Sequence, residues 1–235
     1  MGGDESPGQT EHLAKRLARL QLAQIVHGHR AIILFEGWEG SGRRTALRRL
    51  ASLWDPCHFA VHCEDGDDRG RHWLARYWQS LPSAGTTALF HRSWCRHLAD
   101  QRALGAIDDK AWARRCDEVN EFEAQQRDHG TLIVKLFFDV SVGVHADRLA
   151  ERAADPWRRL LKASDAAPTR AALEATWAEL LQATDTRWAP WTRIDGNDGK
   201  AAPEHALGVI AEALEKTVPM EPPVAEPALA GLQVA

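Results

Sequence analysis

The chain has 235 residues, a formal net charge of -4 and 44% hydrophobic residues, with an isoelectric point near 6.3. That size and apolar content fit one α/β domain around a single sizeable core, and the slight acidic excess argues against a chain that wraps nucleic acid. With no long apolar span and no secretory leader, the expectation is a cytoplasmic protein with no membrane partner, whose Cys57, Cys63, Cys95 and Cys116 are free thiols.

Residues 1–10, rich in Gly, Asp, Ser and Pro, are expected to be disordered, as is the Pro/Ala-rich end 218–235, leaving 11–217 as the folded unit. Glu11 to Val26 carries Leu13, Leu17, Leu20 and Ile25 near helical period. Ala31 to Phe35 is a first strand, followed by a glycine-rich loop and a helix over Thr45 to Leu53. Phe59 to His62 reads as a short strand. Two Cys and two His flank it (Cys57, His58, His62, Cys63), but neighbours on a strand point to opposite faces and do not converge on one ion. Arg71 to Leu81 predicts an aromatic helix ended by Pro82, and Thr86 to Phe90 a strand running out at His91–Trp94. Asp109 to His129 is a long charged helix. Thr131 to Val140 is an apolar run broken by Lys135 and, near its end, Asp139, the pattern of a strand buried on both faces. From Val144 the chain predicts helices bearing Arg148, Arg152, Arg158, Arg159 and Lys162, then a helix over Thr169 to Thr184. A last strand at Thr192–Asp195 and a closing helix at His205–Lys216 complete an alternation that implies a parallel sheet covered by helices on both faces. Ligands of such sheets bind beyond the carboxyl ends of the strands, where Glu39 and Arg92 emerge.

The loop Gly37-Trp38-Glu39-Gly40-Ser41-Gly42-Arg43-Arg44-Thr45 departs from the phosphate-binding pattern G-x-x-x-x-G-K-[ST] at one decisive place. Both glycines are in register, but Arg43 stands where lysine belongs and Arg44 precedes Thr45. Backbone N–H groups and a helix N-terminus there would still cradle a phosphate. A guanidinium binds phosphate as a planar fork and cannot occupy a point charge's position without moving. The same residues also suit a plain strand–turn–helix whose glycines only make the turn, and the arginines after Val144 also suit a solvated helix face.

Phe35-Glu36-Gly37-Trp38-Glu39-Gly40-Ser41-Gly42 and Leu89-Phe90-His91-Arg92-Ser93-Trp94-Cys95 are similar to the Walker A region F-E-G-x-D-A-A-G-K-G and the Walker B region F-D-R-S-W-Y of the polyphosphate kinase 2 family. Arg71 to Pro82 resembles W-R-F-W-x-x-L-P, Asn120-Glu121-Phe122-Glu123 with Gly130 and Lys135-Leu136-Phe137 resembles N-x-F-E…G…K-F, Arg148 and Arg152 fall at R-x-x-x-R, Lys162 and Ser164 at W-K-x-S, and Ala189-Pro190-Trp191 at A-P-W.

The resemblance implies a P-loop kinase-like three-layer α/β fold with a helical lid at about 144–185. It implies phosphoryl transfer between inorganic polyphosphate and a nucleoside mono- or diphosphate, in a homo-oligomer, dimer or tetramer. Carried over by position, the catalytic residues are Glu39, Arg43, His91 and Arg92; the phosphate and nucleotide contacts are Gly37, Gly40, Ser41, Gly42, Arg44, Thr45, Lys135, Arg148, Arg152 and Lys162. Mg²⁺, with Mn²⁺ as an alternative, is the implied metal, and Glu39 is its surviving, weak carboxylate ligand. His91 replaces the Walker B aspartate, and a neutral imidazole is a poor ligand for Mg²⁺. The rival reading is a catalytically degenerate member that binds polyphosphate or nucleotide in a regulatory role. An ATP-dependent nucleotide kinase is the weaker alternative, because the matched motifs extend well past the loop.

Overall fold

The computed structural model describes residues 7–63, 71–157 and 168–224. Its elements are α1 (Pro7–Val26), β1 (Arg30–Gly37), α2 (Arg43–Leu53), a 3-10 turn at Pro56–His58, β2 (Phe59–His62), α3 (Ala75–Gln79), β3 (Thr87–Phe90), α4 (Trp94–Ala103), α5 (Asp109–Asp128), β4 (Thr131–Asp139), α6 (Val142–Ala154), α7 (Arg170–Ala183), β5 (Trp191–Asp195) and α8 (Ala201–Glu215). The five strands form one sheet in the order β2-β3-β1-β4-β5, and every pairing is parallel. The α/β class with helices on both faces is therefore as expected.

The two faces are divided by the alternation of β1. Ile32 and Leu34 enter a cluster with Trp94 and Leu98 of α4, Val119 and Phe122 of α5, and Trp177 and Leu180 of α7. Ile33 and Phe35, pointing the other way, pack with Leu17 and Leu20 of α1, Leu47 and Leu50 of α2, and Leu207 and Ile210 of α8. Consecutive strands β1, β2 and β3 build outward on one side of β1, while β4 and β5 lie on the other, so the crevice at the carboxyl end of β1 is a topological switch point.

Three elements differ from the sequence reading. Helix α1 begins at Pro7, so the residues from Pro7 to Thr10 expected in a disordered terminus are helical, and Val218, expected in the opposite tail, is buried. The aromatic helix shortens to Ala75–Gln79. Its expected first turn is drawn into the core instead: the Trp73 ring stacks on His97 and its indole N–H donates to Glu118 at 2.7 Å. Helix α4 was not foreseen. Ser93 caps it through its hydroxyl, which accepts from the Cys95 amide at 3.2 Å, and its buried stripe of Trp94, Cys95, Arg96, Leu98 and Ala99 contains an arginine that masks the apolar period. Among the described residues no helix is long and apolar enough to cross a membrane.

Candidate active site

The last residue of β1 is Gly37, in register with Phe138 of β4. At φ 123° it has a backbone few side chains adopt, and a Cβ there would lie 2.1 Å from the Phe138 carbonyl oxygen. Only glycine lets the two strands run so close and then release the chain into the loop. Gly42, also left-handed at φ 95°, opens α2 without a side-chain cap, which leaves the first amides of that helix to the loop.

The loop is pinned from outside. Arg148 of α6 donates Nη1–H to Gly40 O at 2.8 Å and to Gly196 O at 2.7 Å, and Nη2–H to Asn197 O at 2.8 Å. Arg152, one turn on, forms an ion pair with Glu39. The loop's other flank is closed by Trp38, whose indole N–H donates to Asp139 at 2.8 Å and whose ring lies 4.5 Å below the Arg170 guanidinium.

Under the loop sits a buried carboxylate. Glu36 Oε1 accepts the Ser93 amide at 2.6 Å, and Oε2 lies 3.8 Å from Arg43 Nη1. Burial pushes the Glu36 carboxyl up from its ordinary range against the pull of Arg43. Burial likewise lowers Arg43 to about 10, a value at which the guanidinium is still charged at neutral pH. Glu36 Oε2, Ser41 Oγ and Arg43 Nη1 are buried without a protein hydrogen-bond partner, a cost of about 1–3 kcal/mol each when nothing else satisfies them. Arg92 carries φ 82°, the one left-handed non-glycine among the described residues. Such a backbone costs on the order of 1–3 kcal/mol and persists where the surroundings impose it.

His91 is held near 3 by burial first and then by Arg43, Arg44 and Arg92, so it is neutral throughout the physiological range. His145 of α6 is also lowered, by burial and by Arg170.

The structure thus gathers Gly37, Glu39, Gly40, Ser41, Gly42, Arg43, Arg44, Thr45, His91 and Arg92 at the carboxyl end of β1, with Arg44 and Thr45 exposed on the first turn of α2. Two expectations are corrected. Lys135 is not at the site: it is fully buried in β4, donating to Glu123 at 2.7 Å and to Thr184 O at 2.6 Å. Arg148 is adjacent to the site, but its guanidinium is occupied by three carbonyls and holds the loop rather than a ligand. Lys162, with Arg158 and Arg159, lies outside the described residues. Sequence reasoning missed Glu36, Trp38, Asp139 and Arg170. Glu36 and Asp139 each had a signal, a charge in an otherwise apolar strand.

The matching family model is that of polyphosphate kinase 2, over residues 2–222. The chain belongs to this family. It is 31% identical over 198 residues to a polyphosphate:AMP phosphotransferase of Pseudomonas syringae pv. tomato, covering 80% of this chain and 39% of the relative. It is 30% identical over 204 residues to a GDP-polyphosphate phosphotransferase of Mycolicibacterium smegmatis, covering 82% and 72% respectively. The chain thus spans well under half the length of the first of these relatives. The polyphosphate kinase 2 crystal structure from Arthrobacter aurescens superposes with a TM-score of 0.81 at 21% identity, over 94% of this chain and 82% of that one.

Polyphosphate kinase 2 enzymes are in general dependent on a divalent metal, and the donor set here can be weighed against that requirement. Glu39 pairs with Arg152, Glu36 is fully buried with Oε1 on the Ser93 amide and Oε2 3.8 Å from Arg43, Asp139 accepts the Trp38 indole N–H and lies 3.7 Å from Arg193, and the Walker B position offers a neutral imidazole among arginines. Among the described residues no three His, Cys, Asp or Glu side chains converge. Mg²⁺ asks for hard oxygen ligands in near-octahedral array. These residues do not fit a protein-held Mg²⁺.

Proposed function

We propose that this chain moves a phosphoryl group between inorganic polyphosphate and a nucleoside mono- or diphosphate. One observation carries the reading: buried, unpartnered Ser41 Oγ and Arg43 Nη1 beside a glycine-rich loop and a helix N-terminus, at the switch point of a parallel sheet. Those donors match phosphate oxygens, and the names of the two relatives, an AMP and a GDP phosphotransferase that use polyphosphate, supply the substrate class.

In this mechanism a nucleotide phosphate oxygen attacks the terminal phosphorus of the polyphosphate in line. The new P–O bond forms as the bond to the bridging oxygen breaks, and that oxygen leaves with the bonding pair on the shortened chain. No protein nucleophile takes part, so rate depends on alignment and on neutralising the oxygens' charge. The loop amides and Ser41 orient the terminal phosphate. Arg43, Arg44 and Arg92 carry the compensating charge, while Arg148 keeps the loop in shape. Glu36, by holding the Ser93 amide, keeps the Arg92 turn beside the loop.

The same reading includes a lid at about 144–185, to which α6 and α7 belong, a cytoplasmic location and a dimer or tetramer. The test is incubation of the purified chain with polyphosphate and AMP, ADP, GMP or GDP, followed by chromatography of the nucleotides. A product one phosphate longer, abolished by Arg92→Ala, is expected. Binding of polyphosphate with no product from any nucleotide would overturn transfer and leave the regulatory binder standing.

A further inference from the structure

A metal at a phosphoryl-transfer site neutralises phosphate oxygens and must itself be held by protein oxygens. Here the three carboxylates nearest the loop, Glu36, Glu39 and Asp139, each lie beside an arginine. Arg43, Arg44 and Arg92 all lie close enough to His91 to oppose protonation of the imidazole. Two unit charges 4 Å apart interact by about 4 kcal/mol at an effective dielectric near 20. A dication beside His91 would therefore meet repulsion from three guanidiniums, whereas a phosphate oxygen would meet attraction. An aspartate at position 91 would neutralise part of this field and attract a cation; the neutral ring does neither.

We propose that phosphate binding at this site is metal-independent: Arg43, Arg44 and Arg92, with the loop amides and the Ser41 hydroxyl, take the polyphosphate's charge directly, in place of a divalent ion. Two observations besides the arginine cluster support it. Ser41 Oγ is fully buried with no protein partner and Arg43 Nη1 is buried in the same state, so donors are already desolvated for an anion. Arg92 holds a left-handed backbone at φ 82°, a conformation that persists where its surroundings impose it. Guanidinium forks bind phosphate oxygens in pairs, so three of them can supply the charge and much of the geometry of a metal bridge.

The inference rests on reading the site as a polyphosphate site, and its test is separate from turnover. Inorganic tripolyphosphate is titrated into the full chain by calorimetry at pH 7.5 and low salt, once with EDTA and once with excess Mg²⁺. Binding in EDTA at least as tight as in Mg²⁺ is expected, since Mg²⁺ then only competes for the ligand. Arg92→Ala should weaken binding in EDTA at least tenfold. His91→Asp should weaken it in EDTA by about tenfold and create a gain from Mg²⁺, with thermal melting checking that each variant is folded. Wild-type binding that needs Mg²⁺, or no binding in either condition, overturns the inference without reference to any variant. A chain that binds in EDTA but phosphorylates no nucleotide leaves it standing and sinks the transfer reading. Turnover and binding that both require Mg²⁺ do the reverse.

Discussion

Replacing Lys135 with Met separates a structural lysine from a substrate-binding one. Lys135 and Glu123 are both fully buried and paired at 2.7 Å. The ammonium also donates to Thr184 O at 2.6 Å and lies 5.1 Å from the Trp191 ring, while Glu123 accepts the Trp94 indole N–H at 3.0 Å. Taking away one partner of such a pair leaves an uncompensated buried charge, at about 3–5 kcal/mol. For a domain of this size that is on the order of 10 °C in melting temperature. Burial already raises the Glu123 carboxyl, and Lys135 is what opposes the rise. Without the lysine, Glu123 in the folded state stays protonated to higher pH than in the unfolded chain. The variant's deficit against wild type should therefore grow as pH rises above the ordinary glutamate range and shrink as it falls into that range. Adding Glu123→Gln removes the stranded charge, and the double variant should recover to within about 2 kcal/mol of wild type. Urea unfolding followed by circular dichroism at pH 5 and 8 measures the stability, and tripolyphosphate affinity of the folded variant should be unchanged. A Lys135→Met protein as stable as wild type but with tenfold weaker tripolyphosphate binding would refute this assignment.

Arg148→Ala removes three hydrogen bonds from a charged donor to the loop and the turn after β5; loss of about 2–4 kcal/mol is expected on that basis, with faster amide exchange at Gly40–Gly42 by hydrogen-exchange mass spectrometry, and wild-type protection there would refute the pinning role. His91, with a folded pKa near 3 against an unfolded value near 6.5, binds fewer protons folded than unfolded between those limits, so it favours unfolding as pH falls through that window. His91→Gln should flatten the stability–pH curve relative to wild type between about pH 6.5 and 4, as read by urea midpoints; parallel curves would show that the imidazole protonates freely.

Strands and loop were legible because their signals are local. The short strand Phe59–His62 lies where the turn that follows it puts it, and Gly37 and Gly42 are glycines that backbone geometry demands. What the sequence could not settle is partnership. Lys135 in a buried strand signals a charge that must be paired, yet its partner lies across a turn on the preceding helix, so a structural pair and a substrate cation leave the same trace. Arg148 and Arg152 share a helical face at i, i+4, but nothing in their spacing says that one grips carbonyls and the other a carboxylate. Arg170 and Asp139 reach the loop only through tertiary packing around Trp38.

The replacements at positions 43 and 91 belong together, and Glu36 is the reason. A guanidinium at the start of α2 reaches back to within 3.8 Å of this carboxylate, whose other oxygen holds the amide of Ser93 at 2.6 Å, two residues past His91. The loop after β1 and the turn after β3 are thus tied through one buried anion, which is itself tolerable only while Arg43 stands beside it. A carboxylate at position 91 would add a second acceptor beside Arg43, Arg44 and Arg92, the guanidiniums needed for phosphate. A neutral side chain at 91 keeps the positive field directed at the ligand. Arg43 and His91 therefore read as two halves of one change in how charge is supplied, with binding by arginine replacing binding through a bridging ion.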